Sequence, residues 1–236
     1  MKIVGIIPSR YSSSRFPGKP LVEIAGKTMV QRVYEQALKA NLHDVIVATD
    51  DARIEQVVRQ FGGKVVMTSV EHNNGTERIA EVAANLDADV VINIQGDEPF
   101  IQPEQIHLLA DCFIDDKVQI ATLAKQQNDA VDFVKSSIVK VVFDNNFDAL
   151  YFSRSAIPFY RTALESTFYK HIGIYAFRKK VLLEVVQLNE TKLEAAEMLE
   201  QLRWLQHGYK IKVALTELES VSIDVPEDLE RLKGIE

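Results

Sequence analysis

The chain has 236 residues, formal charge -7 and one cysteine, Cys112. A chain this long can bury about 70% of the surface its unfolded form exposes, so it needs no disulfide staples, and a lone cysteine cannot form one within the chain. The acidic balance excludes a general nucleic-acid binder, because polyanion affinity is built from excess Lys and Arg. No apolar run approaches the ~18 residues of a membrane span, and the N-terminal run stops at Pro8, too short for a signal h-region. These features fit a cytoplasmic protein in a reducing compartment.

The first apolar run, Ile3–Ile7, reads as a buried strand. It opens into Pro8-Ser-Arg-Tyr-Ser-Ser-Ser-Arg-Phe-Pro-Gly-Lys-Pro20, whose prolines, serines and Gly18 favour an ordered loop. Arg10, Arg15 and Lys19 lie in this loop. A loop at the carboxyl end of a first parallel strand is where open α/β sheets bind ligands, and three cations there suit a triphosphate. Neither a P-loop nor a dinucleotide fingerprint is present: position 13 is Ser, Pro20 replaces the metal-binding hydroxyl, and only Gly18 is available.

A helix is predicted from about Thr28, then a strand over Asp44–Thr49, a helix through Arg59 and a strand over Lys64–Met67. Next come the helix Glu77–Leu86, with Thr76 as N-cap, and the strand Asp89–Ile94. This alternation argues for βαβ units and a parallel sheet. After a helix over Pro103–Ile114 the rhythm changes. Strands are predicted over Val118–Ala124, Ile138–Phe143, Ala149–Phe152 and Tyr169–Phe177, a run better explained by antiparallel additions. The helices Lys179–Leu188 and Leu193–Leu205, the strand Lys210–Leu215, the run Val221–Pro226 and a short helix at Pro226 complete the chain. With no linker or repeat, residues 1–236 read as a single domain.

The fourth strand ends in Gln95-Gly96-Asp97, on the same rim as the first loop. A carboxylate beside a triphosphate suits Mg²⁺, which takes oxygen from one or two carboxylates plus phosphates. Asp224 stands in a similar setting, with a helix cap near Pro226 as the plainer reading. In the second half, His171, Gly173 and Tyr175 share a strand face, and Glu197 and Gln201, four apart, share a helix face. Arg154 can bind a carboxylate bidentately. Cys112, among Leu108, Leu109 and Phe113, reads as core.

Ile7-Pro-Ser-Arg-Tyr-Ser-Ser-Ser-Arg-Phe-Pro-Gly-Lys-Pro20, Val47-Ala-Thr-Asp50, His72-Asn-Asn-Gly-Thr-Glu-Arg78, Ile94-Gln-Gly-Asp-Glu-Pro99, Ala149-Leu-Tyr-Phe-Ser-Arg154, His171-Ile-Gly-Ile-Tyr175, Leu199-Glu-Gln-Leu-Arg203 and Ile223-Asp-Val-Pro-Glu-Asp228 resemble, in order, the motifs of the 3-deoxy-manno-octulosonate (Kdo) cytidylyltransferase family. The resemblance implies a nucleotide-diphospho-sugar transferase fold: Rossmann-like α/β, a mostly parallel central sheet and antiparallel additions in the second half. It also implies a homodimer, Mg²⁺ dependence, and the reaction of CTP with Kdo to give CMP-Kdo and diphosphate, for lipopolysaccharide.

By position, the resemblance makes Arg10, Arg15 and Lys19 the triphosphate clamp, with Ser9 beside them. Gly75, Thr76, Arg78 and Gln95 belong to the nucleotide pocket. Asp97 and Asp224 are the Mg²⁺ ligands. Arg154, His171, Tyr175, Glu197 and Gln201 form the sugar site. Asn74 departs from the family pattern, which usually has Ser there. Related readings are a sialic acid activator or an enzyme using an amino-substituted octulosonate, a UTP- or GTP-dependent sugar-1-phosphate pyrophosphorylase, and a catalytically dead nucleotide sensor or scaffold.

Overall fold

A computed structural model describes residues 1–12, 16–161, 167–219, 222–223 and 225–232. The chain forms two compact units, Met1–His107 with Glu219–Glu236, and Leu108–Leu218.

The first unit contains β1 (Ile3–Ser9), the hairpin strands β2 (Glu23–Ile24) and β3 (Lys27–Thr28), α1 (Met29–Leu38), β4 (Asp44–Thr49), α2 (Ala52–Gln60), β5 (Val65–Met67), α3 (Gly75–Ala84) and β6 (Val90–Asn93). Strand β1 pairs in parallel with β4 on one side and β6 on the other, and β4 pairs in parallel with β5. The central strands are near-continuous apolar runs because a parallel sheet is covered on both faces. Ile6, Ile7, Val47, Ala48, Val91 and Ile92 are fully buried. Helix α1 contributes Met29, Val30, Val33, Tyr34 and Ala37 to the core, the stripe that a 3.6-residue period places on one side.

The N-cap of α3 is Asn74, not Thr76. The Asn74 side chain accepts from the Glu77 N–H at 2.8 Å, while Thr76 is buried inside the first turn. Asn outcompetes Thr as a cap, and the Glu77 carboxylate reinforces the choice by accepting from the Asn73 N–H at 2.8 Å. A small cluster of Ile24, Met29 and Ile223, with Phe16, Phe100 and Leu229 against it, ties the C-terminal segment to the first loop.

The chain leaves the first unit within α4 (Pro103–Asp111), which tightens into a 3-10 turn over Cys112–Ile114. The second unit holds β7 (Ile120–Gln127), α5 (Ala130–Val134), β8 (Lys140–Phe143), β9 (Ala149–Ser153), β10 (Phe168–Arg178), α6 (Lys179–Val185), α7 (Lys192–Glu197), α8 (Gln201–Gln206) and β11 (Ile211–Leu215). Strand β10 is antiparallel to β7 and β8, and β8 to β9, as the run of strands suggested; β11 joins β7 in parallel.

One predicted element divides. The helix expected over Leu193–Leu205 stops at Met198, whose φ of 53° is left-handed, and resumes at Gln201. Glu197 and Gln201 therefore do not share one helix face. A left-handed C-cap is usually glycine, so nothing in the apolar period marks the break at a methionine.

Candidate active site

The first-unit site grows from the ends of β1 and β6. Beyond β1, Gly18 adopts a left-handed φ of 74° and donates its N–H to the Tyr11 carbonyl at 2.9 Å. A 3-10 turn over Lys19–Leu21 follows, with Pro20 in its first turn, so Lys19 leaves the loop from fixed backbone. Beyond β6, Gly96 packs against the first strand: a Cβ there would sit 2.8 Å from the Pro8 carbonyl oxygen and 3.3 Å from Ser9 Oγ. Glycine is required because the two strand ends touch.

These backbones bring Lys19 Nζ to 2.9 Å from Asp97 Oδ2 and 2.8 Å from the Ile223 carbonyl oxygen. Ile223 in turn donates its N–H to the Asp97 carbonyl at 2.9 Å. The first loop, the end of β6 and the C-terminal segment thus meet at one rim, as the strand-end rule for open α/β sheets requires. Asp224 follows Ile223 in sequence; it and Arg15 lie outside the described residues.

A cleft of about 220 Å³ opens here, lined by Pro8, Ser9, Arg10, Lys19, Pro20, His72, Asn74, Gly75, Arg78, Gln95, Gly96 and Asp97. Six nucleotide-side residues expected from the sequence are among them: Ser9, Arg10, Lys19, Gly75, Arg78 and Gln95. Arg10 is exposed, and Ser9 Oγ is buried without a hydrogen-bond partner among the described residues. Thr76 is buried and does not line the cleft. Arg78 is buried too. It donates to Asp50 Oδ2 at 2.7 Å, Thr68 Oγ1 at 2.5 Å and the Ser69 carbonyl at 3.3 Å. These bonds tie helix α3 to the end of β4 and the segment after β5. The lining carries three cations, Arg10, Lys19 and Arg78, and one carboxylate, Asp97, a balance that favours an anion.

In the second unit, His171 and Tyr175 lie 5.4 Å apart by ring centroids, on either side of a β-bulge in β10. A Cβ on Gly173, between them in sequence, would meet nothing within 4 Å, so this position is open. His171 Nε2 meets Thr122 Oγ1 at 3.0 Å, and burial pushes its pKa down to about 3, keeping the ring neutral. Burial pushes the Tyr175 phenol well up, so it stays protonated. The Tyr175 hydroxyl, Gln201 Nε2 and Trp204 Nε1 are all buried without a hydrogen-bond partner among the described residues. The Trp204 ring meets Tyr175 edge-on, with centroids 5.0 Å apart. Buried polar atoms are normally satisfied, so these donors are open to a polar ligand.

Arg154 and Glu197 interlock. The Glu197 carboxylate accepts from Ser153 Oγ at 2.6 Å and the Arg154 N–H at 2.9 Å, while Arg154 Nε donates to the Glu197 carbonyl at 2.8 Å. Glu197 is thereby occupied with holding Arg154. Sequence reasoning missed Asp50, His72, Ser153 and Trp204. Asp50 had the signal of directly following β4 at the strand-end rim, and Trp204 that of being the chain's one tryptophan.

Residues 4–211 match the cytidylyltransferase family model. A 3-deoxy-manno-octulosonate cytidylyltransferase of Parabacteroides distasonis is 55% identical, with 98% of this chain and 96% of that protein covered. That of Bacteroides thetaiotaomicron is 53% identical, over 97% and 96%. The solved structure of CMP:2-keto-3-deoxy-manno-octonic acid synthetase complexed with CTP is 45% identical, covers 100% of this chain and 98% of its own, and superposes with a TM-score of 0.96. A 4-diphosphocytidyl-2C-methyl-D-erythritol synthase from Anaerococcus prevotii, 16% identical with a TM-score of 0.65, shares the α/β fold alone. The chain belongs to the cytidylyltransferases, in the 3-deoxy-manno-octulosonate cytidylyltransferase family.

Proposed function

We infer that the protein transfers the cytidylyl group of CTP to Kdo, giving CMP-Kdo and diphosphate for lipopolysaccharide. The observation that carries this reading is the meeting of Lys19 and Asp97 in a cation-lined cleft, in a chain similar end to end to enzymes of that name.

The anomeric hydroxyl of the sugar acid attacks the α-phosphorus of CTP in line. The new O–P bond forms as the bond to the β-phosphate bridging oxygen breaks, and the hydroxyl proton passes to solvent. Such displacements need positioning and charge balance more than covalent help. Arg10, Arg15 and Lys19 take the triphosphate and balance the charge growing on the departing diphosphate. Ser9, Gly75, Arg78 and Gln95 form the nucleoside side, with Thr76 buried in the helix turn behind Gly75. Arg154 takes the sugar carboxylate, and Tyr175 and Gln201 offer their orphaned donors to its hydroxyls. His171 serves as a neutral polar contact, and Glu197 holds Arg154.

Asp97 suits Mg²⁺: it is a hard oxygen donor, partly exposed on the cleft lining. No group of three or more His, Cys, Asp or Glu gathers for a metal among the described residues, so Asp97, with Asp224 as second candidate, would share the ion with phosphates and water. Bound there, Mg²⁺ supplies charge neutralisation at the phosphates. Residues 1–236 act as one nucleotidyltransferase domain, and the protein works as a cytoplasmic homodimer.

The test is product identification. Incubation with CTP, Mg²⁺ and, separately, Kdo, an amino-substituted octulosonate and a sialic acid, followed by mass spectrometry, should give the CMP adduct fastest with Kdo. Faster conversion of either other sugar overturns the substrate assignment.

A further inference from the structure

Lys140 lies on β8, inside a run of apolar strand residues, and its side chain has no solvent exposure. Its ammonium donates to the carbonyls of Lys135 at 2.9 Å, Ile138 at 2.6 Å and Arg154 at 2.6 Å. Three donors thus meet three acceptors, which is how a buried ammonium is tolerated. Two of the carbonyls flank Ser136, and the Ser136 carbonyl receives Arg154 Nη1 at 3.1 Å. The third belongs to Arg154 itself. The lysine therefore clamps both the backbone of the arginine and the turn against which its guanidinium rests. Arg154 Nη2 has no partner among the described residues, which leaves it for an incoming anion.

We propose that Lys140 is a positioning residue that aims Arg154 at the carboxylate of the sugar acid. Its action is through geometry alone: it touches no substrate. The assignment rests on the reading of Arg154 as the carboxylate ligand.

The test compares Lys140→Met, which keeps the stem and removes the donors, with wild type by steady-state kinetics. KM for Kdo should rise roughly 10–100-fold while KM for CTP stays within about twofold, since misplacing a positioning group by an ångström has effects of this size. In an Arg154→Ala background the same change should alter KM for Kdo by less than about twofold, because coupled residues are not additive. If Lys140→Met fails to fold, Lys140→Gln, which keeps two donors, gives the same comparison. An unchanged KM for Kdo, or full additivity with Arg154→Ala, overturns the proposal. A wild-type protein inactive with Kdo would instead overturn the proposed function.

Discussion

Lys19 and Asp97 stand 2.9 Å apart, although 78 residues separate them in sequence. The pairing exists because β1 and β6 are neighbours in parallel register and release their loops at the same rim. Asp97→Asn removes the charge but retains an oxygen for the Lys19 ammonium, which also keeps the Ile223 carbonyl. Turnover should fall by about 10²–10³-fold, the effect of removing one electrostatic element of a transition state. The far-ultraviolet circular dichroism spectrum should be unchanged. Near-normal turnover in Mg²⁺ would remove Asp97 from the chemistry.

The parallel half was legible in the sequence because buried parallel strands are written as unbroken apolar runs, and the strand-end rule then placed Asp97 beside Lys19. The Met198 break was not, since the apolar period of Leu193–Leu205 continues across it. Asn74 and Thr76 are both good capping types two residues apart, and only the backbone decides between them. Lys140 had a visible signal, a charge inside a strand run, but its partners are carbonyls and carry no sequence signature.

Gly96→Ala places a methyl 2.8 Å from the Pro8 carbonyl oxygen, backbone that cannot swing aside. The strand ends must separate, so the variant should lose about 1–3 kcal/mol, as overpacked sites do. Urea denaturation measures this loss. Gly75→Ala, where the nearest atom is Pro8 Cγ at 3.2 Å, should cost less.

Arg78 and Asp50 form a pair whose arginine is buried and whose aspartate keeps some water. Arg78→Met should destabilise by about 3 kcal/mol, the lower end for breaking a buried pair. The loss should shrink in the Asp50→Asn, Arg78→Met double variant, where no charge is stranded. A double-variant loss equal to the sum of the Arg78→Met and Asp50→Asn losses would show the pair to be uncoupled.

His171 is held neutral in the fold, with a pKa of about 3 against about 6.5 in the unfolded chain. The unfolded state therefore binds the extra proton between these values. The associated stability is fully present above about pH 6.5 and is lost as pH falls toward 3. His171→Gln, which cannot titrate, should show a shallower fall in urea midpoint between pH 6.5 and 4 than wild type. Parallel profiles would contradict the assignment.

Burial raises the Cys112 thiol to about 11, so little thiolate exists at neutral pH. Native protein at pH 7.5 should resist iodoacetamide and keep its activity, while urea-unfolded protein takes up one equivalent at this single cysteine. Rapid native labelling with loss of turnover would make the thiol functional.

Diphosphate release tests the central claim most directly: wild-type protein is given CTP, Mg²⁺ and Kdo, with each component left out in turn and CTP replaced by UTP or GTP. Release should require all three components and fall sharply with either other nucleotide. Release without Kdo, or none with the complete mixture, would contradict the account.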